Sequence, residues 1–277
     1  MLKSNTLNIV KNGELEYITF PKLDKTGLVA NCFTTKMGGV SSGHNATMNL
    51  SFAPEREDTR ENVLENYRRI CSAIGVDYKK CVLSKQTHTT NILIVTKKDA
   101  GKGIIVDRTY DNIDGLITNE RGITLVTQYA DCVPLLFLDP IKKVIATSHA
   151  GWRGTVMGMG YVTVNKMVEA FGCKPSDIIA AIGPSIGKCC FEVGKEVYDE
   201  FAKLETIETN GILHDDKNGK YHIDLWEANK RFLIATGVKE ENIDITDLCT
   251  VCNSDFLFSH RATKGKRGNL AAMICLK

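Results

Sequence analysis

The 277-residue chain contains no apolar run approaching the roughly 18 residues that would argue for a membrane span. Its first twenty residues, MLKSNTLNIVKNGELEYITF, lack the basic-then-apolar pattern of a secretory signal, so the expected location is cytoplasmic. The net charge is only +2, which gives no electrostatic reason to expect nucleic acid or an anionic membrane as partner. The basic run KGKR at 264–267 reads as solvated surface. Histidine is scarce: there are six, with no His-x-His pair and no H-x-E. The first absence argues against a histidine-rich trinuclear copper cluster. The second removes the glutamate that known zinc deaminases use as acid–base group.

Cysteine, by contrast, is plentiful at ten. In a reducing compartment these are thiols, ligands or core residues rather than a disulfide framework. Cys32, Cys71, Cys81, Cys173 and Cys275 sit in apolar or helical surroundings and read as small buried hydrophobes. Cys249 and Cys252 form a single C-x-x-C, and Cys189 and Cys190 are adjacent. A structural zinc site wants two well-spaced pairs, so none is expected here.

Helical spacing of apolar residues marks 61–75, with Thr59 as cap and Gly75 as stop. Residues 155–172, 193–204 and 225–237 read as further helices, the first weakened by Gly158 and Gly160. The intervening strands are CVLS, NILIV, GIIV, DGLIT, TLVTQY, PLLFL, VIATS, IIAAIG and AAMICL. VPLLFL is apolar on both faces, which calls for cover on both sides of its sheet. A layered α/β or α+β protein with a mixed sheet follows, read as one domain over 1–277.

Leu135–Leu138 and Val144–Thr147 form a hairpin across DPIKK. If Asp139 pairs with Lys142 around Pro140-Ile141, Cys132 falls opposite His149, about 4.5–5.5 Å away between Cβ atoms. A thiol beside an imidazole has three readings: a buried thiol near a hydrogen-bonded histidine, a Cys–His nucleophile, or two ligands of a catalytic metal. His88, in KQTH between two strands, is the best third ligand; a His2Cys set with an open position suits catalytic zinc. After His149, Gly151 and Gly154 bracket Trp152 and Arg153 ahead of a helix, an arrangement that favours an anion, although a plain strand-to-helix turn fits equally.

The segments GGVSSG with MNL, KQTH, DGLIT, ADCVPLLF, SHAGWRG, IGPSIG with FEVG, LCT and FSHR occur in order from about residue 30 to the C-terminus. This pattern resembles the laccase-domain family, first called multicopper polyphenol oxidases and later understood as zinc-dependent purine nucleoside enzymes. The resemblance implies an α+β fold, a layered α/β/β/α sandwich with mixed sheets. It implies zinc on His88, Cys132 and His149. The implied activities are phosphorolysis of adenosine, inosine, guanosine and methylthioadenosine, and deamination of adenosine. The implied partners are purine nucleosides and inorganic phosphate, with no nucleic acid or membrane, in a monomer or homodimer. Arg68 in ENYRR is the best match to a family arginine.

The chain departs from the pattern at Thr34-Thr35-Lys36-Met37, where the family often has Ser-Thr-Arg. It departs again at Gly268-Asn269, where Gly-Arg is usual and Arg267 is shifted by one place. Lys36 keeps charge but loses the guanidinium fork. Arg153, Arg68 and Lys36 are the phosphate candidates. The rivals are a cysteine hydrolase or transferase on Cys132 and His149, a metal-binding regulatory protein, and a copper oxidase, the last disfavoured by the histidine count. Free copper would outcompete zinc by affinity order, so copper in vitro is also expected.

Overall fold

The computed structural model describes residues 2–216 and 219–277. Its first sheet runs in the order β1 (Asn8–Asn12), β2 (Leu15–Thr19), β3 (Val29–Thr34), β15 (Leu270–Leu276), β7 (Thr124–Tyr129) and β4 (Cys81–Leu83). The second runs β14 (Ile243–Ile245), β10 (Ile179–Ile182), β8 (Val133–Asp139), β9 (Val144–Ala150), β6 (Gly115–Thr118) and β5 (Ile92–Ile94). Both sheets are mixed: β4–β7, β10–β14 and β5–β6 are parallel, and the other pairs antiparallel. A small third sheet contains β11 (Glu192–Val193), β13 (Tyr221–Ile223) and β12 (Leu213–Asp215). The helices are α1 (Pro21–Lys25), α2 (Arg60–Ala73), α3 (Trp152–Val156), α4 (Met159–Phe171), α5 (Lys195–Ala202), α6 (Leu225–Ala235) and α7 (His260–Thr263).

Side-chain alternation on the central strands assigns the layers. On β8, Val133, Leu135 and Phe137 join a core with Met159, Val164 and Met167 of α4 and Phe232 and Leu233 of α6. Leu136 and Leu138 of the same strand point the other way, into a core with Phe33, Leu125, Ala272 and Ile274 of the first sheet. The far face of that sheet, through Cys32, Val126 and Met273, packs on Val63, Tyr67 and Ile70 of α2. The order is therefore helix, sheet, sheet, helix, and the double-sided apolar character of VPLLFL is the consequence of lying second from the outside. Cys32, Cys71, Cys81, Cys173 and Cys275 are all buried, as expected of small hydrophobes. Among the described residues no helix is long and apolar enough to cross a membrane.

Three local readings need correction. The expected 155–172 helix is two helices, because Gly158 adopts a left-handed φ of 69° between α3 and α4. GIIV at 103–106 is not a strand: the N–H groups of Ile104, Ile105 and Val106 all turn back to the carbonyl of Gly101. In the β8–β9 hairpin, Asp139 pairs with Val144 rather than Lys142, so His149 lies opposite Pro134, not Cys132. The Asp139 carboxylate accepts the N–H groups of Ile141 and Lys142, and Lys143 takes a φ of 55°, which makes the loop two residues longer. A shift of two preserves the face, so Cys132 and His149 remain diagonal neighbours on one side.

Thr59 caps α2 by accepting the Asn62 N–H at 3.1 Å. Thr59→Ala should cost about 1 kcal/mol and Phe137→Ala about 3–5 kcal/mol, read from urea midpoints; equal shifts would contradict this packing scheme.

Candidate metal centre and its two cavities

The centre is organised by Asp114, fully buried immediately before β6. One carboxylate oxygen accepts His149 Nδ1–H at 2.8 Å and the His88 backbone N–H at 3.0 Å. The other accepts the N–H groups of Thr87 and Thr89 and the Thr89 hydroxyl, each at 3.0 Å. Three consecutive amides thus converge on one carboxylate, and His88 takes a φ of 65° within that turn. With Nδ1 committed to Asp114, His149 offers Nε2 to the site.

His88, Cys132 and His149 bring one donor atom each within 4.8 Å of one another. Cys132 Sγ lies 3.9 Å from His88 Nε2, and the two imidazoles meet edge-on with centroids 4.9 Å apart. Gly151 forms part of the floor: a Cβ there would lie 2.9 Å from His88 Cδ2 and 3.1 Å from Cys132 Sγ. Two imidazoles, a thiol and a carboxylate behind one imidazole fit the requirements of a catalytic zinc site.

The charges reinforce one another. Burial alone would raise the Asp114 pKa, but hydrogen bonds from His149, Thr87 and Thr89 outweigh it and hold the carboxyl at about 2. Burial opposes ionisation of Cys132 as well, yet the adjacent His149 and His88 bring the thiol down to about 6. His149 is lifted to about 9 against burial by Cys132 and Asp114. The neighbouring imidazoles thus favour the thiolate form of Cys132, the form a cation requires of its sulfur ligand.

Two cavities, each of about 340 Å³, meet at this cluster and share His88, Ala130, Cys132 and Arg267. One is largely apolar, lined by Trp152, Ile186, Phe191 and Leu225 with His260 and Arg261 at its polar side. The other is polar and cationic, with Arg56, Lys85, Arg108 and Arg267 around Ser51, Gln86 and Gln128. Arg267 is buried, and burial followed by the neighbouring Arg56 lowers its pKa to about 10. The Nε atoms of Arg56 and Arg267 are buried without a hydrogen-bond partner.

The expected anion binders lie elsewhere. Arg153 is exposed and stacks on the Trp152 ring, 4.3 Å from its centroid, on a helix of only five residues. Arg68 is paired with Glu65 at 2.6 Å in a separate surface groove beside Asn12 and Gly38. Lys36 donates its ammonium to the Ser254 carbonyl at 2.7 Å. None of the three lines either cavity. The sequence marks Arg267 only as the displaced arginine before Gly268-Asn269 and Asp114 only as the first residue of DGLIT, and it gives no sign of Arg56 or Arg108.

Residues 30–277 match the model of the family described as multi-copper polyphenol oxidoreductase laccase. The chain belongs to that family. It is 35% identical over 249 residues to "Purine nucleoside phosphorylase YlmD" of Bacillus subtilis (strain 168), covering 88% of this chain and 87% of that one. It is 34% identical to "Adenosine deaminase RL5" of an unknown prokaryotic organism, over 90% of this chain and 93% of the relative. It is also 34% identical to "Purine nucleoside phosphorylase LACC1" of Mus musculus, over 90% of this chain, which spans only 55% of that relative's length. The Bacillus licheniformis hypothetical protein YfiH has the same fold, with a TM-score of 0.91 at 31% identity over 99% of this chain and 100% of that one.

In this member of the laccase family, Gly151→Ala and Asp114→Asn should each weaken zinc binding at the centre by about 10–100-fold, measured by competition with a chromophoric chelator. The Asp114 pKa is depressed below its unfolded value. Its stabilisation of about 2–3 kcal/mol is therefore present above about pH 4 and lost as pH falls through about 2. The stability gap between wild type and Asp114→Asn should narrow over that range; a constant gap would contradict the assignment.

Proposed function

We propose that the chain is a zinc-dependent purine nucleoside phosphorylase acting on adenosine, inosine, guanosine and methylthioadenosine, with adenosine deamination as a second activity. The observation that carries this reading is the position of His88, Cys132 and His149 at the junction of an apolar and a cationic cavity. The apolar cavity, with the Trp152 and Phe191 rings, takes the purine. The cationic cavity takes phosphate: Arg267, Arg56, Arg108 and Lys85 line it and supply the positive charge that neutralises the anion. Their arrangement holds an anion beside the bound nucleoside, where it attacks the ribose C1′ as the base departs.

His88, Cys132 and His149 hold the zinc, and Asp114 positions His149. When bound, zinc supplies Lewis-acid chemistry at the point where the two cavities meet. The names of the relatives agree with both branches, as phosphorylases and as an adenosine deaminase. The oligomeric state is proposed as monomer or homodimer, and the location as cytoplasmic.

One observation favours a second reading. Cys132, His149 and Asp114 also form a thiolate, imidazole and carboxylate in series, the arrangement of a cysteine nucleophile. His88 has no place in that chemistry, and the metal reading accounts for it.

Metal-assayed protein incubated with adenosine should yield adenine and ribose 1-phosphate with phosphate present, and inosine and ammonia without it. Both should fall at least about 100-fold in Cys132→Ala and after chelation. Activity that survives chelation but not Cys132 alkylation would instead establish the cysteine enzyme. Arg267→Met should cut phosphorolysis by at least about 10-fold while sparing deamination, measured as a product ratio. Equal loss of both would remove Arg267 from the phosphate site.

A further inference from the structure

The fold gathers a second donor cluster that the spacing of the cysteines did not foretell. Cys189 and Cys190 lie in the loop between β10 and β11, and Cys249 and Cys252 in the loop after β14. Their four sulfurs lie within 4.8 Å of one another. Cys252 Sγ is 3.6 Å from Cys189 Sγ and 3.5 Å from Cys190 Sγ, and all four are free thiols. A tetrahedral zinc with Zn–S bonds of about 2.3 Å sets its sulfurs about 3.8 Å apart, so small adjustments close the set. We propose that Cys189, Cys190, Cys249 and Cys252 form a structural zinc site, separate from the His88–Cys132–His149 centre.

Backbone donors surround one of the four sulfurs. Cys249 Sγ accepts the Gly187 N–H at 3.3 Å, and the backbone N–H groups of Val251 and Cys252 also point to it. A side chain at position 187 would fill the approach, because its Cβ would lie 3.2 Å from Cys249 Cβ and 3.3 Å from Cys189 Sγ. The loops are already aligned backbone to backbone, with Ser185 bridged to Cys249 and the Thr250 N–H on the Ser185 carbonyl at 2.9 Å. That registration brings the C-x-x-C onto the adjacent pair. Adjacent cysteines are poor joint ligands in an extended strand, but here they lie in a turn, with the N–H groups of Cys190 and Phe191 both on the Gly187 carbonyl at 2.9 Å.

The site joins two walls of the apolar cavity. Ile186 and Phe191 flank the first pair. Beyond the second pair the chain runs to His260 and Arg261, and Arg261 Nη1 donates to the Cys190 carbonyl at 3.1 Å. Binding deprotonates the thiols and yields a four-sulfur site with no vacant position, so it tethers loops and performs no chemistry on substrate.

Full-length protein, expressed with zinc and purified under reducing conditions, should contain about two zinc per chain, falling to about one in Cys252→Ser and to about one in Cys132→Ala. Cobalt added to metal-free Cys132→Ala protein, whose four-cysteine set is intact, should give intense thiolate-to-cobalt charge-transfer and tetrahedral d–d bands. Unchanged zinc content in Cys252→Ser overturns the proposal. So does cobalt without the thiolate bands, or a disulfide found by mass in the reduced protein in place of metal. Each readout is independent of nucleoside turnover.

Discussion

The Asp114 carboxylate is the interaction on which the site depends. It is buried, among the described residues it forms no ion pair with a lysine or arginine, and five donors hold it: one imidazole, three backbone amides and one hydroxyl. A buried charge without such a shell would be neutralised instead. The same shell forces the KQTH loop to wrap around it, which carries His88 to the end of β9 where His149 stands. One residue therefore orients the His149 ring and shapes the backbone at His88. Its negative charge also raises His149, whose positive charge in turn lowers Cys132. The thiolate is the last member of an alternating series that starts from this carboxylate.

The legible parts of the fold were those in which local chemistry and packing agree. Thr59 and the apolar stripe of α2 specify one helix with one cap. The double-sided apolarity of VPLLFL required cover on both faces, and β8 is covered by helices on one side and a sheet on the other. The Cys132–His149 neighbourhood survived a wrong register because side-chain direction has a period of two, and the error was two. The turn itself was misread because the Asp139 carboxylate outbids the short reversal by binding two amides. GIIV failed for the opposite reason: Gly101 and Gly103, with φ of 83° and 84°, curl the chain before any ladder can form.

What stayed hidden depends on contacts between distant segments. Arg56 and Arg267 meet across more than 200 residues, with Arg56 Nη1 on the Arg267 carbonyl at 3.2 Å. Nothing in either neighbourhood signals the other. Arg56 also lies near enough to lower the Arg267 pKa, and although Glu55 pairs with Arg56 at 3.7 Å, four cationic side chains face this one carboxylate in the cavity, which is the physical reason to read it as an anion site. Arg153 and Arg68, by contrast, are satisfied by a ring and a carboxylate in solvent, where charge needs no further partner. Burial separates the cavity arginines from the surface ones, and burial is what a linear sequence withholds.

The family's description as a multicopper oxidase can be weighed on the same physical terms. Among the described residues two groups of sulfur and imidazole donors exist, and only His88 and His149 of the six histidines belong to either. That is too few imidazoles for a trinuclear cluster beside a mononuclear site. The two groups also differ in softness. Four cysteine sulfurs, two of them on exposed residues, make a softer donor set than two imidazoles and one half-buried cysteine, and soft donors favour cuprous copper. The loop cluster is thus the softer donor set of the two, and the centre between the two cavities the one with imidazole donors.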